Sequence, residues 1–268
     1  MSHTGMGSNL VLRIYMALFF AYMFLPLGVM LVAGFSDYSP PSITVWRGGT
    51  LRWFSELWAD ERMWSGLTNS LIIAVAVILL SLPMGLSGAL LLSKLGGRAG
   101  GVLYAVMVSP LLTPGLIIGI STVIFWRHLG AAAGLVTAIL AQSAFIASYA
   151  MLMFMARLQR LDNTLQEAAL DLGATQAQAF RRITLPFLRP TVVTATVIAF
   201  LQSFENYNTT IFSIGGQHTL VTEIGARMRF GMSPMINAIG ILFILVTLIG
   251  AVIWGVLRQR ERKLEDLR

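Results

Sequence analysis

Long apolar runs separated by short polar segments set the pattern of this chain. A helix needs about 20 mostly apolar residues to cross roughly 30 Å of hydrocarbon. Six runs meet that requirement, near 14–35, 67–92, 102–126, 131–156, 191–214 and 235–257. The first exceeds the ~7–15-residue apolar stretch of a cleavable leader and lacks a convincing A-x-A site, so it reads as a retained first span. The third contains Pro110 and Pro114. Each proline removes a backbone donor, so this run is expected to kink or break, with the freed carbonyls satisfied inside the protein. The G-G-R-A-G-G at 96–101 reads as a tight turn between the second and third runs.

The polar segment at 157–190 carries the sequence E-A-A-L-D-L-G-A-T-Q-A-Q-A-F-R-R-I-T-L-P over 167–186. Residues 165–172 suit a short helix ended by Gly173, which adopts the left-handed conformation at low cost. Ala168 and Ala169 leave that helix a bare face that a partner's backbone can approach closely. Residues 176–183 suit a second short helix, which Thr184, Leu185 and Pro186 are expected to break. Glu167, Ala168, Ala169, Gly173, Ile183, Leu185 and Pro186 follow the pattern E-A-A, three residues, Gly, nine residues, Ile, one residue, Leu-Pro. This spacing resembles the EAA loop of bacterial ABC import permeases.

At 56% hydrophobic and 12% charged over 268 residues, the chain has too little polar surface for a soluble globule. It reads as an all-α membrane protein of about six transmembrane helices, a single transmembrane domain over 1–268. A net charge of +7 points to nucleic acid in a soluble protein, but here its placement matters more. Alternating the sides of the six spans puts thirteen basic residues together: Arg13, Lys94, Arg98, Arg157, Arg160, Arg181, Arg182, Arg189, Arg258, Arg260, Arg262, Lys263 and Arg268. Six lie opposite, Arg47, Arg52, Arg62, Arg127, Arg227 and Arg229. The larger group, both termini and the 157–190 loop are thereby assigned to the cytoplasm. The acids divide six and six, so the excess of positive charge is cytoplasmic and requires no nucleic acid.

The absence of cysteine excludes disulfides, thiolate catalysis and thiolate metal sites, and three scattered histidines make no metal cluster. No G-x-x-x-x-G-K-[ST] run occurs, so any ATP used must be hydrolysed by another chain. In the outer connection at 36–65, Tyr38, Trp46, Trp53, Trp58 and Trp64 read as interfacial anchors. Residues 50–58 alternatively form a short amphipathic helix in a docking surface.

Polar groups at membrane depth tend to face a cavity or a partner. The leading candidate is Ser203-Phe204-Glu205-Asn206-Tyr207-Asn208. If the fifth run is one helix, Glu205 lies about 21 Å along it at 1.5 Å per residue. Phe204, Glu205 and Asn208 then share a stripe with Leu201, able to hold a desolvated ammonium by charge, hydrogen bonds and cation–π contact. The alternative is that the span ends early and Glu205 sits in water or headgroups. Gln142 is a further candidate for the pathway. It, Ser143, Asn69 and Ser70 also suit interhelical hydrogen bonds, and His128 reads as an outer-surface residue. A secondary transporter would need several intramembrane ionisable groups, and an intramembrane enzyme a nucleophile, base or metal site; neither set is present in the spans.

Similarity extends beyond the loop, through F-L-P-L at 24–27, T-N-S-L at 68–71, S-P-L-L-T-P at 109–114, S-F-E-N at 203–206 and M-S-P-M-I-N-A at 232–238. The chain is similar to the smaller, second permease of spermidine/putrescine-type importers. The resemblance implies the type I importer (MetI-like) permease fold with cytoplasmic coupling helices in the bacterial inner membrane. It implies as partners a second homologous permease in a heterodimer, two ATPase subunits docked on the EAA loops that bind ATP and Mg, and an extracytoplasmic substrate-binding protein. It makes polyamines the expected substrate, with opines, iron, thiamine or sulfate as alternatives. Similar permeases carry two acids after Ser-Phe, whereas this chain has Glu205 and then Asn206, one negative charge instead of two.

Overall fold

The structure is a computed structural model that describes residues 5–42, 44–230 and 233–265. Met232 and Arg268 lie outside the described residues, as do the side chains of Arg258, Arg260, Arg262 and Lys263. Twelve α-helices follow one another among the described residues. They are α1 (Gly5–Phe35), α2 (Arg52–Ala59), α3 (Glu61–Lys94), α4 (Gly97–Leu112), α5 (Gly115–His128) and α6 (Leu135–Leu158). After them come α7 (Asn163–Asp171), α8 (Gln176–Ala179), α9 (Leu185–Phe204), α10 (Tyr207–Ser213), α11 (Leu220–Phe230) and α12 (Met235–Glu265). A π-helical turn, Phe180–Thr184, joins α8 to α9.

Four stretches are each long and apolar enough to cross a membrane: Leu10–Phe35, Glu61–Lys94, Leu135–Leu158 and Gln176–Phe204. The third predicted run is a broken pair, α4 and α5, bent by 106°. The break falls at Thr113 and Pro114, the last two residues of S-P-L-L-T-P. The sixth run begins α12, whose shorter apolar stretch is Met235–Gly250.

The chain forms two compact units, Arg62–Gly225 and the residues up to Glu61 taken with those from Ala226. In the larger unit α6 is the central helix, with 56% of its apolar window buried against 22% for the Gln176–Phe204 stretch. Ile73 and Val77 of α3, Ala138 and Ile146 of α6, Ala199 of α9 and Ile214 make one core cluster. A second joins Ala89, Ala150, Met151, Phe154, Leu188 and Ala195. The helices meet through small residues, as they do where apolar burial cannot drive association within lipid. A Cβ on Gly85 would stand 2.7 Å from both the Ala150 Cβ and the Met151 backbone nitrogen, so α3 and α6 approach at backbone distance there.

In the smaller unit α1 packs on α12, and Gly34 meets the Ile241 side chain. The alternative reading of residues 50–58, a short helix, is the one formed: it is α2, and its inner face buries Trp53 and Leu57. Trp53 is therefore no interfacial anchor. Its indole N–H donates to the Ser36 carbonyl at 2.8 Å, a bond that favours burial over the membrane surface. Trp46 and Trp58 remain exposed, at 56% and 71%.

Candidate functional site

The loop between α6 and α9 is built by local capping. Asp162 caps α7 by accepting from the Thr164 amide at 2.9 Å. That bond, with a side-chain bond from Thr164, holds the Asp162 carboxyl below its ordinary value of 3.8. At the other end Gly173 has φ +86°, its N–H donates to the Leu170 carbonyl at 2.9 Å, and the Ala174 N–H donates to the Ala169 carbonyl at 3.0 Å. This pair of bonds is a Schellman motif, which satisfies carbonyls the helix end would otherwise orphan. Thr175 then opens α8 with a reciprocal capping box: the Gln178 amide donates to the Thr175 hydroxyl at 3.3 Å and the Thr175 amide to Gln178 Oε1 at 2.8 Å.

The expected break at Thr184-Leu185-Pro186 does not occur. Helical backbone runs from Gln176 into α9, because the π turn changes the bonding where Pro186 lacks a donor: the Leu185 N–H reaches the Phe180 carbonyl five residues back. Pro186 itself follows directly on the π turn, as the second residue of α9. Buried Thr184 accepts from Gln166 Nε2 at 3.0 Å and so ties α7 to the turn.

Of the loop's pattern residues, Glu167 and Ala168 are exposed, Ala169 is half-buried, Gly173 is exposed, and Ile183, Leu185 and Pro186 are half-buried. Leu165 and Leu172 stand out at 54% and 89% exposed, an apolar pair beside the bare Ala168. The opposite side of α7, at Gln166 and Leu170, faces a cavity of about 490 Å³ that is also lined by Lys94 of α3 and Leu158 of α6.

The second site lies where the fifth run was expected to continue. α9 stops at Phe204, Glu205 caps its C-terminus, and α10 begins at Tyr207. Asn206 makes the break by capping α10: its side chain accepts from the Thr209 amide at 3.1 Å. The stripe Leu201, Phe204, Glu205, Asn208 is thus interrupted before its last member. Glu205 and Asn208 still come together, with Gln202, Tyr207, Thr209, Phe145 and Gly115, around a cavity of about 250 Å³. Both Glu205 and Asn208 are exposed. Phe204 stacks on Phe200 at 5.6 Å and is not among the lining residues.

Gln142 takes the second of its two expected roles, the interhelical hydrogen bond, and not the pathway one. It is 1% exposed, its Nε2 donates to the Thr210 hydroxyl at 2.7 Å, and its Oε1 accepts from the Ser203 hydroxyl at 2.6 Å. Thr210 in turn donates to the Asn206 carbonyl. Gln142 is a strut holding the α9–α10 break rather than a group lining the opening, since a buried amide is most stable with its polar atoms bonded. Asn69 and Ser70 serve likewise as ties. The Asn69 amide donates to the His218 carbonyl at 2.8 Å, and the Ser70 hydroxyl accepts from the Leu220 amide at 3.0 Å. His128 is exposed.

Sequence reasoning missed Phe145, Gln202, Thr210 and Gly115 at this site. Gly115 and Gly119 let α5 approach α10: a Cβ on Gly119 would lie 2.5 Å from the Thr209 carbonyl oxygen. The available signal was the polar pair Thr209 and Thr210 inside an apolar run, next to an asparagine able to cap.

A broken span, a core of small-residue helix contacts and a capped two-helix loop of EAA spacing define a membrane permease of the ABC importer class. The model of the family described as binding-protein-dependent transport system inner membrane component matches residues 81–263. The chain belongs to that family. It is a multi-pass inner-membrane component of a transport system, not an enzyme. Over 253 residues it is 30% identical to the putrescine transport system permease protein PotI of Escherichia coli (strain K12), covering 91% of this chain and 89% of that one. It is 26% identical over 240 residues to the spermidine/putrescine transport system permease protein PotC of the same strain, covering 88% and 89% respectively. In fold it resembles a chain of a bacterial ABC transporter involved in the import of the acidic polysaccharide alginate, with a TM-score of 0.68, 17% identity and coverage of 94% and 95%. A chain of the inward-facing MetNI methionine ABC transporter gives a TM-score of 0.57 at 20% identity, covering 77% of this chain and 95% of that one.

Proposed function

We propose that this permease carries polyamines or a related organic amine, and that Glu205 meets the cationic end of the substrate. The observation that carries the reading is the exposed Glu205 carboxylate at an opening shared with Phe145, Tyr207 and Asn208. A carboxylate supplies charge-assisted hydrogen bonds to an ammonium, an aromatic ring a cation–π contact, and an amide a further acceptor. The substrate names of the 30% and 26% identical relatives support the same class. One acid instead of two holds a polycation less strongly than a paired-acid site would, so a mono-ammonium amine fits this chain as well as a polyamine. A sulfate would meet repulsion here.

Two ATPase subunits, binding ATP and Mg, dock on the paired EAA loops of this chain and a second permease, and an extracytoplasmic binding protein delivers the substrate. Glu167, Ala168 and Ala169 form the contact with the ATPase, Gly173 sets the angle at the end of α7, and Ile183, Leu185 and Pro186 pass the motion into α9. Closure of the ATPases on ATP carries α7 with them. The capping bonds and the Gln166–Thr184 bond make α7, the π turn and α9 a connected lever. On this reading the loop and both termini face the cytoplasm.

Replacing Glu205 by Gln keeps shape and removes charge. A charge-assisted hydrogen bond contributes about 1.5–3 kcal/mol, so KM for putrescine uptake is expected to rise roughly ten-fold or more while expression is unchanged. Unchanged KM and rate in Glu205→Gln would remove Glu205 from the pathway.

A further inference from the structure

The cytoplasmic-facing ends assigned to α6 and α9 form a groove at the root of the 157–190 loop, apart from α7, α8 and the Glu205 opening. It has a volume of about 280 Å³ and is lined by Met153, Arg157, Pro190, Thr191 and Thr194. Arg157 is one residue from the end of α6, where the apolar span gives way to Gln159 and Arg160, the depth of lipid headgroups. Its guanidinium lies over the Phe187 ring, 4.0 Å from the centroid, and its Nε donates to the Phe187 carbonyl at 3.3 Å. These two contacts fix the plane of the fork and leave the Nη amino groups for another acceptor. Among the described residues no carboxylate pairs with Arg157.

Thr194 spends its proton on the Pro190 carbonyl at 3.0 Å, and Thr191 makes no such bond among the described residues. The groove therefore offers a held, unpaired arginine fork and a free hydroxyl donor at one end, with the apolar Met153 and Pro190 beside them. An arginine fork matches two oxygens of a phosphate, and stacking on an aromatic ring orders it beforehand. Anionic lipids concentrate at the cytoplasmic surface and attract such a group by about 1 kcal/mol per basic residue before any specific contact. Exposed Arg189, adjoining Pro190 in sequence, adds positive charge.

We propose that this groove binds the phosphate headgroup of an anionic phospholipid, with Arg157 and Thr191 donating to the phosphate oxygens and Met153 and Pro190 meeting the start of an acyl chain. The lipid would then brace α6 against α9 at the root of the lever that the EAA loop drives. The test is native mass spectrometry of the full-length permease released from nanodiscs of mixed phosphatidylglycerol and phosphatidylcholine. The wild type is expected to retain phosphatidylglycerol in preference to phosphatidylcholine, Arg157→Gln to lower that occupancy about ten-fold, and Thr191→Val to lower it several-fold with the fold undisturbed. Arg189→Gln, which removes charge beside the groove but no direct contact, is expected to lower it less than Arg157→Gln does. Displacement of the retained lipid by millimolar inorganic phosphate would mean a free-anion site and overturn the lipid assignment. Equal phosphatidylglycerol occupancy in the wild type and in Thr191→Val and Arg157→Gln would overturn the site itself.

Discussion

At Gly173 the backbone takes φ +86° with open space where a Cβ would stand, so the demand on this residue is conformational and not steric. A side chain there costs about 1–2 kcal/mol in the left-handed region, and the chain can relieve that strain only by turning α7. Gly173→Val is therefore expected to lower substrate-stimulated ATPase activity several-fold at normal expression, with Gly173→Asn less affected because asparagine tolerates the conformation. Full activity in Gly173→Val would contradict a fixed angle at the end of α7. Asp162 acts at the other end. Its carboxyl is depressed by the Thr164 bonds, so its contribution to α7 is complete above the ordinary value of 3.8 and fades as pH falls through the lowered one. Across neutral pH the cap stays on. Hydrogen exchange over α7 at pH 7 is expected to rise in Asp162→Ala and much less in Asp162→Asn, which still caps; equal exchange in all three proteins would remove the cap from the account.

Among the elements, the α9–α10 break depends on one buried strut. Gln142 spans from Ser203 to Thr210, and replacing it by Leu leaves the buried Ser203 hydroxyl without its acceptor and removes the donor to Thr210, which keeps its own bond to the Asn206 carbonyl. Each unsatisfied buried group costs about 1–3 kcal/mol. Gln142→Leu is thus expected to lower the melting temperature of the purified permease and to weaken substrate stimulation through misplacement of Glu205, whereas Ser203→Ala, which leaves the amide its other partner, is milder. No thermal shift in Gln142→Leu would contradict the strut. The broken third span was legible in Pro110 and Pro114, and the end of α7 in Gly173, because those residues act through their own backbone. The end of α9 at Phe204 was hidden: Ile211, Phe212 and Ile214 continue the apolar pattern, and only the capping by Asn206 stops the helix. Pro186 misled in the opposite sense, since a π turn in the preceding residues absorbed its missing donor. Gln142 could be placed in a span from sequence, but its two bonds depend on which helices neighbour α6, information that resides in tertiary packing.

For the molecule as a whole, apolar runs and the EAA spacing made the membrane class and the transport family readable, since both are properties of sequence along the chain. The cavity at Glu205 was readable only in part. Phe145 and Gly115 are distant from Glu205 in sequence and reach it through α5, α6 and α10. The two sites, an exposed apolar and bare-faced α7 and a carboxylate-bearing opening beyond α9, are joined by continuous helix from Gln176 to Phe204. On the proposed function, work done on α7 by an ATPase is passed through the Gln166–Thr184 bond to this helix and along it to Glu205, the residue proposed to meet an amine. The most direct test is ATPase activity of the complex co-purified with its partner subunits and reconstituted in liposomes with its binding protein. Putrescine or spermidine is predicted to stimulate hydrolysis, with iron, thiamine, sulfate and opine-like compounds inert. Stimulation by one of those other solutes, or a chain that retains no ATPase on purification, would contradict the account.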